Sequence, residues 1–267
     1  MEYQISYYLF IPAVLVLGAV VGSFLNVVIL RLPARMEGSD ETIVWPASRC
    51  PQCRTAIRWY DNIPLLSFVL LGRRCRACGA QISWRYPLVE AAMAGLALAL
   101  LLRLGPGVDW LIYFVFSAAL LAIFFIDLDH QLIPDVISLP GIVLGFAASF
   151  ALSGISWPDA GLGILLGGGT FFLVAQGYYL LTGREGMGGG DIKLLAMLGA
   201  FLGWQSLPFI ILASSVLGLV VGIGAMIRQG KGGRSVIPFG PFLITAAWLW
   251  IFFPAQIELL FELLFLP

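Results

Sequence analysis

The sequence predicts an all-α polytopic membrane protein of about eight transmembrane helices, with a small loop domain between the first two. Three observations predict it. Of the 267 residues, 60% are apolar and 11% charged, and the mean hydropathy is +0.96, whereas soluble domains hold roughly 45–50% apolar residues. The apolar residues gather into runs of membrane-crossing length, and the arginines cluster on one side of those runs. Net charge is zero, which says little about partners because position outweighs sum in a membrane protein; the lipid bilayer is an expected partner and nucleic acid is not.

A helix needs about 20 apolar residues to cross a ~30 Å hydrocarbon layer. Windows of this kind fall near 8–30, 87–104, 109–126, 133–154, 159–182, 205–228 and 236–254. An eighth, 192–203, is short and can cross only by starting inside a polar cleft of the protein itself. The first run, Tyr7 to Leu30, is long and lacks a basic leader, so it reads as a retained span rather than a signal peptide. The domains expected are 1–30 as first helix, 31–86 as loop domain, 87–254 as a seven-helix membrane domain and 255–267 as a tail. In that tail Glu258 and Glu262 lie one turn apart on an apolar helix, which suits the outer membrane boundary.

Basic residues orient these spans. Arg31, Arg35, Arg49, Arg54, Arg58, Arg73, Arg74, Arg76 and Arg85 lie between spans one and two, and Arg184, Lys193, Arg228, Lys231 and Arg234 flank loops of the same parity. Arg103 falls opposite. The positive-inside rule then makes the 31–86 loop cytoplasmic and puts both termini outside.

That loop holds Cys50, Cys53, Cys75 and Cys78, two C-x2-C pairs separated by 21 residues. Four thiolates on two such turns can close a tetrahedral zinc site and fold a loop too small for its own core. Disulfides or a redox dithiol are the competing reading, which a reducing cytoplasm disfavours. No ligand position is left open, so the expected metal is structural.

Two acidic stretches fall on turns at the same membrane face: "FFIDLDHQLIPD", with Asp127, Asp129 and Asp135, and "GREGMGGGD", ending at Asp191. Intramembrane acids generally face a polar cavity and have a function, although near an interface the inference weakens and solvated turn acids are as good a reading. Gly186, Gly188, Gly189 and Gly190 before Asp191 let the backbone turn tightly and approach a substrate strand with no side chain between. The alternative is a flexible connector whose aspartate caps the helix starting at Ile192.

Several blocks in one order resemble the bacterial type IV prepilin peptidases, also called leader peptidase and N-methyltransferase: "GSFLNVVILRLP" (22–33), the two cysteine pairs, "ISWRYPLVE" (82–90), "FIDLDHQLIPD" (125–135) and "GMGGGDIK" (186–193). The last is similar to the G-x-G-D signature of the GxGD intramembrane aspartyl proteases. Leu30 departs from an aromatic residue common in relatives. The resemblance implies a bacterial inner-membrane endopeptidase that removes the basic leader of prepilins and pseudopilins at the cytoplasmic face, after glycine. It also implies methylation of the new amine, with S-adenosylmethionine as donor. Matching D-x6-P and G-x-G-D places the catalytic pair on Asp127 and Asp191, with Gly188, Gly189 and Gly190 positioning substrate and Asp129, Asp135, Lys193 and Glu90 supporting. Hydrolysis by carboxyl groups needs two that lie close and share one proton.

Other residues have simpler expectations. His130, the sole histidine, sits on a turn where solvation is its ordinary state. Pro134 and Asp135 suit a helix start. Lys193 either acts on Asp191 or reaches the interface. Glu90 either pairs with Arg85 or serves methyl transfer. Asn26 is expected to hydrogen-bond a neighbouring helix, and Gly163 and Gly167 to let helices approach closely. No G-K-[ST] follows those glycines, so they form no nucleotide loop. Two other classes would explain some features: a secondary transporter with broken helices, and a zinc-knuckle scaffold for a secretion or pilus complex.

Overall fold

The computed structural model describes residues 2–183, 188–229 and 237–265. Arg184, Gly186, Lys231, Arg234 and the Arg228 side chain lie outside the described residues. The chain divides into two compact units, Met1–Ala122 and Ile123–Pro267.

In the first unit α1 (Glu2–Met36) is followed by the cysteine loop, which contains a 3-10 turn (Trp59–Asn62) and the short α2 (Leu66–Leu70). Next come α3 (Arg85–Leu104) and most of α4 (Val108–His130), within which the division falls. Helix α3 buries Val89, Met93, Ala97 and Leu100 completely, a stripe at three- and four-residue spacing. Against it α1 presents Gly18 and Gly22. A methyl carbon on Gly22 would stand 2.7 Å from the Glu90 Cα, and one on Gly18 2.6 Å from the Ala94 Cα. Small residues thus bring the two backbones together, as is usual where apolar burial gives helices no preference for each other over lipid. Asn26 adds the expected interhelical bond, donating from Nδ2 to the Tyr86 carbonyl at 3.1 Å.

In the second unit the end of α4 leads to α5 (Asp135–Ala148), α6 (Trp157–Thr182), α7 (Gly189–Leu202), a 3-10 turn (Trp204–Ser206), α8 (Leu207–Gln229), α9 (Gly240–Phe252) and α10 (Pro254–Phe265). Ser156 caps α6, accepting from the Asp159 N–H, and Gly183 ends it in the left-handed conformation at φ 66°. Its Leu165, Leu173, Leu180 and Leu181 remain exposed, the face such a helix offers to lipid. Helix α7 is the opposite case: Leu194 through Leu202 are all buried, packed by α5, α6 and α9. Its 14 residues span only about 21 Å, too short to cross alone, as its sequence window suggests.

Gly163 and Gly199 make the α6–α7 contact possible. A methyl carbon on Gly163 would lie 2.6 Å from the Gly199 carbonyl carbon, and one on Gly167 2.6 Å from the Leu195 carbonyl oxygen. Each of the eight sequence windows contains a helix, although the helices in 133–154 and 236–254 are shorter than their windows. Five described segments are long and apolar enough to cross a membrane by themselves: Phe10–Met36, α3, α4, α6 and Trp204–Ile227. Helices α9 and α10 qualify only as a pair bent by 97°. The window 133–154 yields the shorter α5, because the chain turns at Ser149, whose hydroxyl donates to the Phe146 carbonyl. Beyond the 97° bend, Glu258 and Glu262 are exposed while Ile257 is buried.

Candidate active site and metal centre

The end of α4 places Asp127. Gln131 closes that helix, its N–H donating to the Asp127 carbonyl at 2.9 Å, and adopts φ 52°, which turns the chain toward α5. Asp127 itself is 5% exposed, and its Oδ2 accepts the Gly240 N–H at 3.0 Å. That donor fixes the carboxyl group against the start of α9. Gly240 has no room for a side chain: a methyl carbon there would sit 2.6 Å from Asp127 Oδ2 and 3.3 Å from Ile133 Cδ1.

The start of α7 places Asp191. Gly188 is the N-cap, its carbonyl accepting the Asp191 N–H at 3.2 Å, and Asp191 lies in the first turn, half-buried. Ile133 joins the two acids' surroundings, for a methyl carbon on Gly190 would stand 2.9 Å from its Cβ. Ile133 is also touched from the Asp127 side, where a methyl carbon on Gly240 would stand 3.3 Å from its Cδ1. The three glycines differ. Gly190 is required by packing, whereas among the described residues a methyl carbon on Gly189 would meet nothing within 4 Å and one on Gly188 only Asp191 Oδ2 at 3.8 Å.

Of the other predicted residues, Lys193 places Nζ 2.7 Å from both oxygens of Asp135, tying the start of α7 to the start of α5. Pro134 is the N-cap of α5 rather than its first residue. Asp129 and His130 are exposed at the end of α4. Gly240 went unnoticed in the sequence, since it contributes only a backbone N–H; the signal was a glycine between prolines, "PFGP", at the start of the last apolar window.

The first unit carries a separate cluster. Ligand sulfurs of Cys50, Cys53, Cys75 and Cys78 all lie within 4.8 Å of one another, with Cys50 and Cys78 Sγ 3.9 Å apart. Metal–sulfur bonds of about 2.3 Å in a tetrahedron put sulfurs about 3.8 Å apart, so the four thiols fit one metal ion. The two turns repeat each other: both read R-C-x2-C-x3-I. The Cys50 N–H donates to the Thr55 carbonyl and the Cys75 N–H to the Ala80 carbonyl. The bridges Arg49–Ala56 and Arg74–Gln81 close each turn. At equivalent positions Arg54 (φ 57°) and Gly79 (φ 72°) are left-handed. Hydrogen bonding to the Thr55 side chain and then its backbone pulls the Cys53 thiol down to about 6, and the Cys78 and Ala77 N–H groups lower that of Cys75. Against the Ala80 N–H, the neighbouring thiols Cys53, Cys75 and Cys50 push Cys78 up to about 11.

Fold and sites together define a polytopic helical membrane protein with a carboxyl-bearing centre in one unit and a tetrathiol centre in the other. Residues 16–104 match the Bacterial Peptidase A24 N-terminal domain and residues 114–223 the Type IV leader peptidase family. A prepilin leader peptidase/N-methyltransferase of Pseudomonas putida is 42% identical over 90% of this chain and 89% of its own length. Those of Aeromonas hydrophila (41%, covering 91% and 90%) and Pseudomonas aeruginosa (40%, covering 93% and 92%) are similar to the same extent. No solved structure matches the chain significantly. The chain belongs to the type IV leader peptidase family.

Proposed function

We propose that the protein is a bacterial inner-membrane endopeptidase that cuts the basic leader from type IV prepilins and pseudopilins after glycine and then methylates the exposed amine with S-adenosylmethionine. The observation that supports cleavage best is that Asp127 and the start of α7 carrying Asp191, 64 positions apart in sequence, share Ile133 as a neighbour, through Gly240 on one side and Gly190 on the other. One carboxylate takes a proton from water while the other, protonated, hydrogen-bonds the scissile carbonyl oxygen. Water attacks that carbon, the tetrahedral intermediate collapses, and the proton passes to the leaving amine. The pair titrates as a unit. Gly188 and Gly189 admit the substrate backbone and Gly190 packs the loop's end. The Lys193–Asp135 pair holds α7 against α5, and Asp129 supports from the rim.

Cys50, Cys53, Cys75 and Cys78 hold zinc, which folds the loop and takes no part in either reaction. Glu90 belongs to the methyl-transfer half. The 31–86 module and the active site face the cytoplasm, both termini lie outside, 87–254 is the peptidase domain, and 255–267 rests on the outer boundary. The test is a matched pair, Asp127→Asn and Asp191→Asn, in purified protein given a prepilin and the methyl donor. Each is expected to abolish leader removal while a pre-cleaved pilin is still methylated. Retained cleavage by either variant removes that residue from the mechanism, and cleavage by neither wild type nor variants would leave the transporter or scaffold reading.

A further inference from the structure

The first unit contains a cleft of about 1550 Å³ between the end of α1, the start of α3 and the cysteine loop. Small-ligand sites run to roughly 300–1,000 Å³, so this one has room for a nucleoside and the end of a peptide together. Three acids line it: Glu41, Asp61 and Glu90. Glu41 is engaged by Arg49 and Arg31. Asp61 is engaged by Arg76.

Glu90 differs from both. It is 7% exposed and is held by a neutral donor, the Leu65 N–H at 2.7 Å on Oε2, with Ser23 lining the cleft beside it. Leu65 is the centre of a tight turn at φ 61°, ψ −48°, closed by the Leu66 N–H on the Pro64 carbonyl at 2.6 Å. That is a strained conformation for a branched residue, and Glu90 grips its N–H. One helical turn from Ser23, Asn26 is 3% exposed and also lines the cleft. Its Nδ2 donates to the Gly22 and Tyr86 carbonyls, which leaves its Oδ1 buried with no hydrogen-bond partner. A buried carboxylate held by a neutral donor and a buried amide oxygen without a donor both cost stability unless something fills them. A primary ammonium has three N–H donors, a positive charge and no acceptor, and answers both needs.

We propose that Glu90, Asn26 and Ser23 form a binding site for a primary ammonium group. The inference rests on the methyl-transfer reading above, whose reaction offers two such groups: the new α-amine of the pilin and the amine on the methionine-derived arm of the donor. The site would hold one of them at the cleft floor; if it is the pilin amine, an N–H proton passes to the Glu90 carboxylate before the nitrogen attacks the methyl carbon, and the C–S bond breaks to release S-adenosylhomocysteine.

Equilibrium binding to full-length protein in detergent tests this with four probes. Two are a leaderless pilin peptide with a free and with an acetylated amino terminus. Two are S-adenosylhomocysteine and methylthioadenosine, the second of which lacks the amino-acid arm. Loss of a charge-assisted contact predicts that Glu90→Gln weakens one amine-bearing probe about 10- to 100-fold and spares its amine-free counterpart. Weakening of the free peptide assigns the site to the acceptor; weakening of S-adenosylhomocysteine assigns it to the donor. Asn26→Leu is expected to weaken the same probe, and Glu90→Asp, which keeps the charge, to restore part of the affinity. Retained bound metal and retained leader cleavage show that each variant is folded. Equal weakening of all four probes, or of none, overturns the proposal. If the wild type binds no probe and methylates nothing, the methyl-transfer reading itself falls.

Discussion

Gly240→Ala adds one methyl group at the place where the backbone touches Asp127. The added carbon would stand 2.6 Å from Asp127 Oδ2 and 3.3 Å from both Asp127 Cγ and Ile133 Cδ1. Carbon and oxygen in ordinary contact lie more than 3 Å apart, so the carboxyl group must retreat by more than half an ångström or α9 must withdraw. Ile133 blocks one direction and is itself 7% exposed. The alanine still has its N–H, so the variant tests placement rather than loss of a donor. Displacements of this order at a reacting group cost on the order of 10²-fold in rate, while overpacking costs about 1–3 kcal/mol of stability. The assay is the single-turnover rate of leader cleavage in detergent, with methylation of a pre-cleaved pilin followed in the same preparation. Cleavage should fall by about two orders of magnitude and methylation should stay within about a factor of two. Gly169→Ala is the control, because its methyl group meets no described atom within 4 Å and the residue lies in α6, outside the site. Gly240→Ala protein that cleaves at nearly the wild-type rate would refute the idea that Asp127 is held in its working position by this contact.

Gly163→Ala should lower the thermal unfolding temperature in detergent far more than Gly169→Ala, since the first methyl group would strike the Gly199 backbone and the second meets nothing. Equal unfolding temperatures would contradict the backbone contact between α6 and α7. Stripping the metal with a chelator should make the loop around the four cysteines protease-sensitive and reduce methyl transfer, with leader cleavage largely kept; unchanged proteolysis would argue that the thiols hold nothing structural. The Arg76 guanidinium holds the Asp61 carboxyl below its ordinary range. A depressed folded value means that the pair contributes stability above the unfolded value near 3.9 and loses it as pH falls through the folded one. Asp61→Asn should therefore make the loop more protease-sensitive at neutral pH, and the difference from wild type should close on acidification below about pH 4. A gap that widens with acid would reverse the sign and refute the assignment.

How much of this the sequence shows depends on whether the physics is local. Apolar runs of 20 residues record the solvent around them, so every window contains a helix, but hydropathy does not mark where helices stop, and the chain leaves α5 at Ser149 inside a still apolar stretch. The cysteine pairs are legible because metal geometry demands fixed local spacing. Their duplication was equally open to view in the repeated R-C-x2-C-x3-I. The Gly240 contact with Asp127 bridges 113 positions through a backbone atom, and the Lys193–Asp135 pair bridges 58. Neither leaves any periodic trace. Leu65 is invisible for a related reason: nothing in a leucine announces a positive φ, which Glu90 on its N–H and the Leu66–Pro64 bond that closes the turn together hold.

The twin cysteine turns hold one bend spelled in two ways. Where the second copy has Gly79, the first has Arg54 in the same left-handed pose, a pose that disfavours a residue with a Cβ by about 1–2 kcal/mol. The glycine copy shows what folding alone would choose there. The arginine copy departs from that choice without breaking the turn, so each half of this small module serves as the other's reference for how far its shape can be rewritten.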